Sequence, residues 1–343
     1  MLVGHRRRIR NFALGAALVA PLFGAAARAA GAQSLQPTTI AIPAVSFAFT
    51  ADYIAEDAHL YAQSGLDVKI RFLAGNAGFN ALIAGAVDFS FSSGTNLDRA
   101  AARGQKMLAI ANMNNLPPWD VVIRKDIADV AHFDPTAPLA ERAKVLKGRT
   151  IVVDGIGSAA HSYLRVIAQA GGIDPDSITV SALQPQEMLG AYARHQIDGI
   201  ALGPPWPQIL EQNGGVAVVA SGIKGDPPWL SPIASSTLIT RPQFCIRHRS
   251  ICEKMGHAMV LASAFVHEHP QEALAILKKR FPNIGQAVVE ASFAVMRKAM
   301  PQPPLVEAKA LANADRINVE AGFVKPADQL KSYDDLFTNE FLK

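Results

Sequence analysis

LKGRTIVVDGIGSAAHSYL, residues Leu146 to Leu164, reads as a turn, a short buried strand from Thr150 to Val153, a glycine-bearing bend from Asp154 to Ser158, and a helix beginning near Ala159. Such a junction aims several unpaired helix N–H groups, with the positive end of the helix dipole, at one point beyond the strand's carboxyl edge. That is a place to hold an oxyanion. The same stretch contains Gly155-Ile156-Gly157-Ser158-Ala159-Ala160, which spells the G-x-G-x-x-A form of a dinucleotide-binding turn. That turn needs an acidic residue at the end of the next strand to hold a ribose. Here the strand Ile178-Thr179-Val180 runs into Ser181-Ala182, and Asp174 and Asp176 precede it. No dinucleotide, and no other cofactor, is expected. Two readings stay open: a ligand-facing helix terminus, and a glycine turn that only packs the helix on its strand.

Working outward, alternating units surround this stretch. Downstream come a helix to Ala170, Gly172-Ile173-Asp174, the strand from Ile178, a helix from Gln186 to Arg194, Gln196-Ile197-Asp198, an apolar strand to Leu202, and the bend Gly203-Pro204-Pro205-Trp206. Upstream the order is similar. A strand from Thr38 to Ile42 leads through a loop to a helix from Ala51 to Gln63, then Gly65-Leu66-Asp67, the period-two strand Val68 to Phe72, a short helix to Ala84, Val87-Asp88, and Phe89-Ser90-Phe91. Alternating strands and helices predict mainly parallel sheets, and the shared order predicts two related lobes. Trp119 to Arg124 and Ser236 to Thr240, each following a Pro-Pro pair, are extended segments placed where the chain would cross between lobes. The expected division is therefore residues 36–123 plus 236–343 for one lobe and 124–235 for the other. From Arg249 onward the pattern is helical and is expected to pad the first lobe.

The N-terminus stands apart. Arg6, Arg7, Arg8 and Arg10 precede an apolar run from Phe12 to Ala26, and small residues follow, so residues 1–32 are expected to be an export signal. The arginines leave the route, general or twin-arginine, open. Removing residues 1–29, with their five arginines and no acid, takes the formal net charge from +4 to −1. The remaining chain has no basic run to neutralise phosphates, so no nucleic-acid partner is expected. Cys245 and Cys252 either pair in an oxidising compartment or stay reduced. No second Cys/His pair has ligand spacing, so no metal is expected.

The segment Thr38 to Glu268 resembles the periplasmic substrate-binding proteins of ABC importers, in the nitrate/sulfonate/taurine group that also includes binders of the thiamine pyrimidine precursor. The resemblance is carried by Tyr53-Ile54-Ala55 with Tyr61, Gly65-Leu66-Asp67-Val68, Ala84-Gly85-Ala86-Val87-Asp88-Phe89, Leu146-Lys147-Gly148-Arg149-Thr150-Ile151, Gly157-Ser158, and Ile197-Asp198-Gly199-Ile200. It implies an α/β fold of the type II-like periplasmic binding protein kind, with two lobes, two mixed sheets flanked by helices, and two hinge strands. It also implies a monomeric periplasmic protein, no enzyme, that closes on a small-molecule ligand and delivers it to an ABC transporter permease. The chain departs from the pattern at Ser46 to Thr50 and at Gly203-Pro204-Pro205-Trp206, both cleft-facing segments.

In open α/β sheets, loops at the carboxyl ends of the strands face the ligand. That nominates Ser46, Phe49, Asn76, Ala77, Ser93, Thr95, Ser158, His161, Pro205 and Trp206 as ligand-binding residues, and no residue as catalytic. Each serine reads equally as a helix cap, and His161 equally as a surface residue. Tryptophans are wasted on a bare ion, so the expected ligand is a small organic anion, a taurine-like sulfonate or an aromatic carboxylate, rather than nitrate. The alternatives are a pyrimidine, or an enzyme of pyrimidine-precursor metabolism. Against the enzyme, no paired Cys/His nucleophile, phosphate-binding lysine loop or HExxH helix is present.

Overall fold

The structure is a computed structural model that describes residues 34–343. The expected export signal lies outside the described residues. Ten strands form two five-stranded sheets among these residues. They are β1 (Gln36–Ile42), β2 (Leu66–Phe72), β3 (Phe89–Ser92), β4 (Leu108–Asn114), β5 (Asp120–Arg124), β6 (Thr150–Val153), β7 (Thr179–Ala182), β8 (Gly199–Leu202), β9 (Val216–Ser221) and β10 (Ser236–Thr240).

The first sheet has the order β2-β1-β3-β10-β4 and the second β7-β6-β8-β5-β9. In each, one antiparallel strand sits between two that are parallel to the rest: β10 between β3 and β4, β5 between β8 and β9. The two orders are the same pattern. The chain leaves the first lobe after β4, inserts β5 into the second, and returns to insert β10 into the first. Both expected hinge strands are therefore interior sheet strands, and the crossings are the segments just before them, residues 115–119 and 222–235.

The likeness extends to single hydrogen bonds. The Asp88 carboxylate accepts from Thr39 N at 2.8 Å, and the Asp198 carboxylate accepts from Thr150 N at 2.8 Å. In each lobe the aspartate just before the central strand, β3 or β8, ties that strand's start to its parallel neighbour, β1 or β6, which is why the Val87-Asp88 and Ile197-Asp198 pairs recur. A charge-assisted bond of this kind contributes about 1.5–3 kcal/mol.

The strands alternate or run apolar because helices cover both faces. One core gathers Phe89, Phe91, Ile110 and Leu238 against Met255 and Met259 of the long helix Arg249–Glu268. Another gathers Val121, Ile151, Val153 and Val219 against Tyr163 and Ile167 of the helix Ala159–Ala170. Burying each such side chain contributes about 1.5–3 kcal/mol.

The late helices correct the expectation that they only pad the first lobe. Ala314 and Ile317 of the helix Ala308–Glu320 belong to the second lobe's core, while its Asn318 donates to Thr95 O at 3.0 Å in the first. This helix lies across both lobes. Cys245 and Cys252 form a disulfide that ties the helix Pro242–Arg247 to Arg249–Glu268, which closes the question the sequence left open.

Candidate functional site

The strand directions bring one edge of each sheet to the same side. The carboxyl ends of β1, β3, β4, β6, β8 and β9 lie there, together with the amino ends of β5 and β10. Ser46 follows β1 and caps the turn Phe47–Phe49, accepting from Ala48 N at 3.2 Å. Its hydroxyl donates to Pro204 O at 3.1 Å, in the loop after β8. This bond joins a loop of the first lobe to a loop of the second and marks where the two half-sites meet. Pro205, behind a cis Pro204–Pro205 bond, is buried at the same junction.

Ser93 caps the helix Gly94–Ala102, accepting from Thr95 N at 3.2 Å. Gly94 is needed there because a Cβ would meet the Ala234 Cβ at 2.8 Å, so only glycine lets this helix terminus abut the second crossing. Asn76, at the start of the helix Ala77–Ile83, and Ala77 are exposed, and Asn76 Oδ1 accepts from Asn96 Nδ2 at 3.2 Å.

Ser158 caps Ala159–Ala170, accepting from His161 N at 3.1 Å and donating to Asp154 Oδ1 at 2.5 Å. Gly157 N donates to His161 Nδ1 at 3.0 Å. The chain's own groups therefore occupy much of the hydrogen-bonding capacity that the sequence assigned to an incoming oxyanion. Asp154 keeps an accessible surface although protein surrounds its carboxyl, and that desolvation raises its pKa against the opposing Ser158 hydrogen bond. For His161, burial, followed by the nearby Arg165, lowers the pKa. Accepting at Nδ1 places the proton of the neutral ring on Nε2.

Several nominated side chains are turned elsewhere. Phe49 is buried in the first lobe's core, its ring centroid 5.9 Å from that of Phe91. Thr95 is fully buried and its hydroxyl donates to Ser93 Oγ at 3.0 Å. The His161 ring meets Phe323 edge-on at 5.0 Å. Trp206 opens the helix Trp206–Gln212 and packs, half-buried, on the cluster that contains Val122 and Leu202.

The sequence reading missed three polar residues on this edge. Asn114 ends β4, donates to Ala48 O at 3.1 Å, and leaves its buried Oδ1 without a partner; Ser236, beside it on β10, has a buried, unpartnered hydroxyl. Asp120 starts β5 across the crossing, with one buried, unpartnered oxygen and a carboxyl pushed up to about 6 by burial. The visible signal is the polar residues Asn112, Asn114, Asn115, Asp120 and Ser235-Ser236, bracketing each proline-marked crossing. Together these groups offer hydroxyls, amides and carboxyls suited to hydrogen-bonding a small polar molecule. Among the described residues no cluster of His, Cys, Asp or Glu has the form of a metal site.

A family model described as NMT1/THI5 like matches residues 46–273. No curated protein matches the chain. Solved structures do. A protein from Bordetella bronchiseptica is similar at 19% identity and TM-score 0.74, with 89% of this chain and 95% of that one covered. The alkanesulfonate-binding protein SsuA from Xanthomonas axonopodis pv. citri is similar at 18% identity and TM-score 0.68, covering 89% and 99%. The periplasmic nitrate-binding protein NrtA from Synechocystis is similar at 14% identity and TM-score 0.67, covering 90% and 87%.

Proposed function

This chain belongs to the NMT1/THI5-like family, and on that premise we propose that it is an extracytoplasmic solute-binding protein of ABC import type. It captures a small organic molecule between its lobes and passes it to a membrane permease. The observation that carries the reading is the Ser46–Pro204 bond, which joins the carboxyl-edge loops of two like-built lobes. A solute held there touches both lobes, so it favours the closed arrangement by its differential affinity for it. The Cys245–Cys252 disulfide accords with an oxidising compartment outside the cytoplasm. The lobe division, with its first boundary moved from 123/124 to the crossing 115–119 because β5 pairs with β8 and β9 of the second sheet, and its second at 235/236, belongs to this proposal, as do Ser46, Ser93, Asn114, Ser158 and Ser236 as ligand contacts.

For the ligand, we favour a small organic anion, an alkyl sulfonate or aromatic carboxylate, held by these hydroxyl and amide groups. The named binding proteins of like fold, for alkanesulfonate and nitrate, support an anion. One observation favours a second reading, a pyrimidine. Asp154 already takes the Ser158 hydroxyl, and Asn114 Oδ1 and Asp120 stand as unpartnered acceptors, a set that suits ring N–H and amino donors. Calorimetric titration and melting of the protein lacking residues 1–32 with ethanesulfonate, benzoate and an aminopyrimidine tests both. A true ligand at 100 times its Kd stabilises the fold by about 2.7 kcal/mol. Binding by the aminopyrimidine alone selects the second reading, and turnover of any of the three would replace binding with catalysis.

A further inference from the structure

Beside the cleft, a groove of about 390 Å³ runs between the helices Ala77–Ile83 and Gly94–Ala102. Arg99 and Arg103 line it, with Asn76, Asn80 and Asn96. The second lobe's Ile156 and Gly157, and Phe323 beyond the helix that spans both lobes, also line it.

Its charge is not balanced. Arg99 is half-buried, and its guanidinium donates to two amide oxygens, Asn318 Oδ1 at 3.2 Å and Asn96 Oδ1. Arg103 is exposed, and among the described residues neither arginine has a carboxylate within ion-pair distance. Burial, then the charge of Arg103, depresses the Arg99 pKa against the smaller opposing pull of Asp98. Two guanidinium groups brought together on a partly desolvated wall are a cost that a bound anion relieves, and the planar fork of arginine suits an oxyanion. The surrounding amides add neutral donors.

We propose that this groove is a second binding site at the rim of the cleft, sharing Asn76 and the turn before Ser158 with it, in which Arg99 and Arg103 hold a small oxyanion such as phosphate, sulfate or the acid group of an organic molecule. The second lobe supplies part of its wall, so the site is complete only when the lobes are together. An anion bound there favours closure, and it couples to the cleft ligand in both directions.

The test is calorimetric titration with inorganic phosphate, at ionic strength held constant with sodium chloride. Wild-type protein, Arg103→Gln and Arg99→Lys are compared, each checked by its melting temperature in chloride alone. Wild type is expected to bind one phosphate, and Arg103→Gln to weaken binding about tenfold or more. The Arg103 side chain makes no hydrogen bond among the described residues, and its backbone N–H, which donates to Ala100 O at 3.1 Å, is kept in the variant, so Arg103→Gln is expected to fold as wild type does, whatever Arg99→Lys does. No heat beyond that of chloride in wild type, or equal phosphate affinity in wild type and Arg103→Gln, overturns the site. A protein that binds none of the cleft candidates yet loses phosphate in Arg103→Gln keeps this site and loses the cleft reading.

Discussion

Asp52 shows how far a single residue can depart from what its neighbours in sequence imply. It lies on a helix, Thr50–Asp57, whose apolar face turns it fully inward. Tyr61 Oη donates to its Oδ1 at 2.6 Å, and its Oδ2 has no partner. Burial pushes the carboxyl up to about 7, against the Tyr61 bond and the Arg280 charge and with the help of Glu56 and Asp57. The fold therefore prefers this acid protonated, whereas the unfolded chain ionises it near the ordinary aspartate value. Its contribution to stability is full at about pH 4 and below and is lost as pH rises to about 7. Asp52→Asn keeps an acceptor for Tyr61 and removes that slope. Its advantage over wild type in urea unfolding should grow from about pH 4 to pH 8, reaching about 4 kcal/mol. An advantage that does not change with pH would assign another cause. Much of the site is legible only in part for the same reason. The serines were found as caps because capping is local, but the burial of Phe49 and Thr95 depends on what packs over them, which no spacing records.

At the scale of elements, the strands and helices around Thr150–Ala170 follow from local pattern, and so do Asp88 and Asp198, because glycine turns and period-two alternation are short-range signals. The crossings do not. Segments 115–119 and 222–235 run side by side, with Gly222 N donating to Trp119 O at 2.9 Å and Ile233 N to Asn115 O at 2.8 Å. Nothing in either segment alone announces the other, so the polar residues beside the crossings are visible in the sequence but the pairing of Asn114 with Ser236 is not. A Cβ on Gly222 would stand 2.5 Å from Pro117 O, a backbone atom that cannot step aside. Gly222→Ala should cost about 1–3 kcal/mol in chemical unfolding, by forcing the crossings apart. The disulfide makes a different prediction. Its cysteines are seven positions apart, a short loop, so replacing both with alanine should lower stability by about 2 kcal/mol, seen as a lower melting temperature. The same loss should appear in wild type once the bond is reduced.

For the whole molecule, each lobe is built on its own five-stranded sheet, and the Ser46–Pro204 contact between them is a bond that opening must break. A neutral hydrogen bond is worth about 1 kcal/mol net, so Ser46→Ala should shift the balance toward open forms about fivefold. Small-angle scattering of the ligand-free protein should then give a larger radius of gyration than wild type, and an unchanged radius would mean other contacts hold the lobes. The helix Ala308–Glu320 adds a constraint of another kind. Ala314 and Ile317 fill the second lobe's core, and Arg165 on the helix Ala159–Ala170 donates to Ala321 O at 2.6 Å, although that lobe's own strands end at Ser221. A ribosome or a translocation channel releases the chain from its N-terminus, so the second sheet emerges about a hundred residues before the helix that seals it. Until then its apolar flank is open to water, and the order of synthesis, rather than the order of strands, decides when that half can become native.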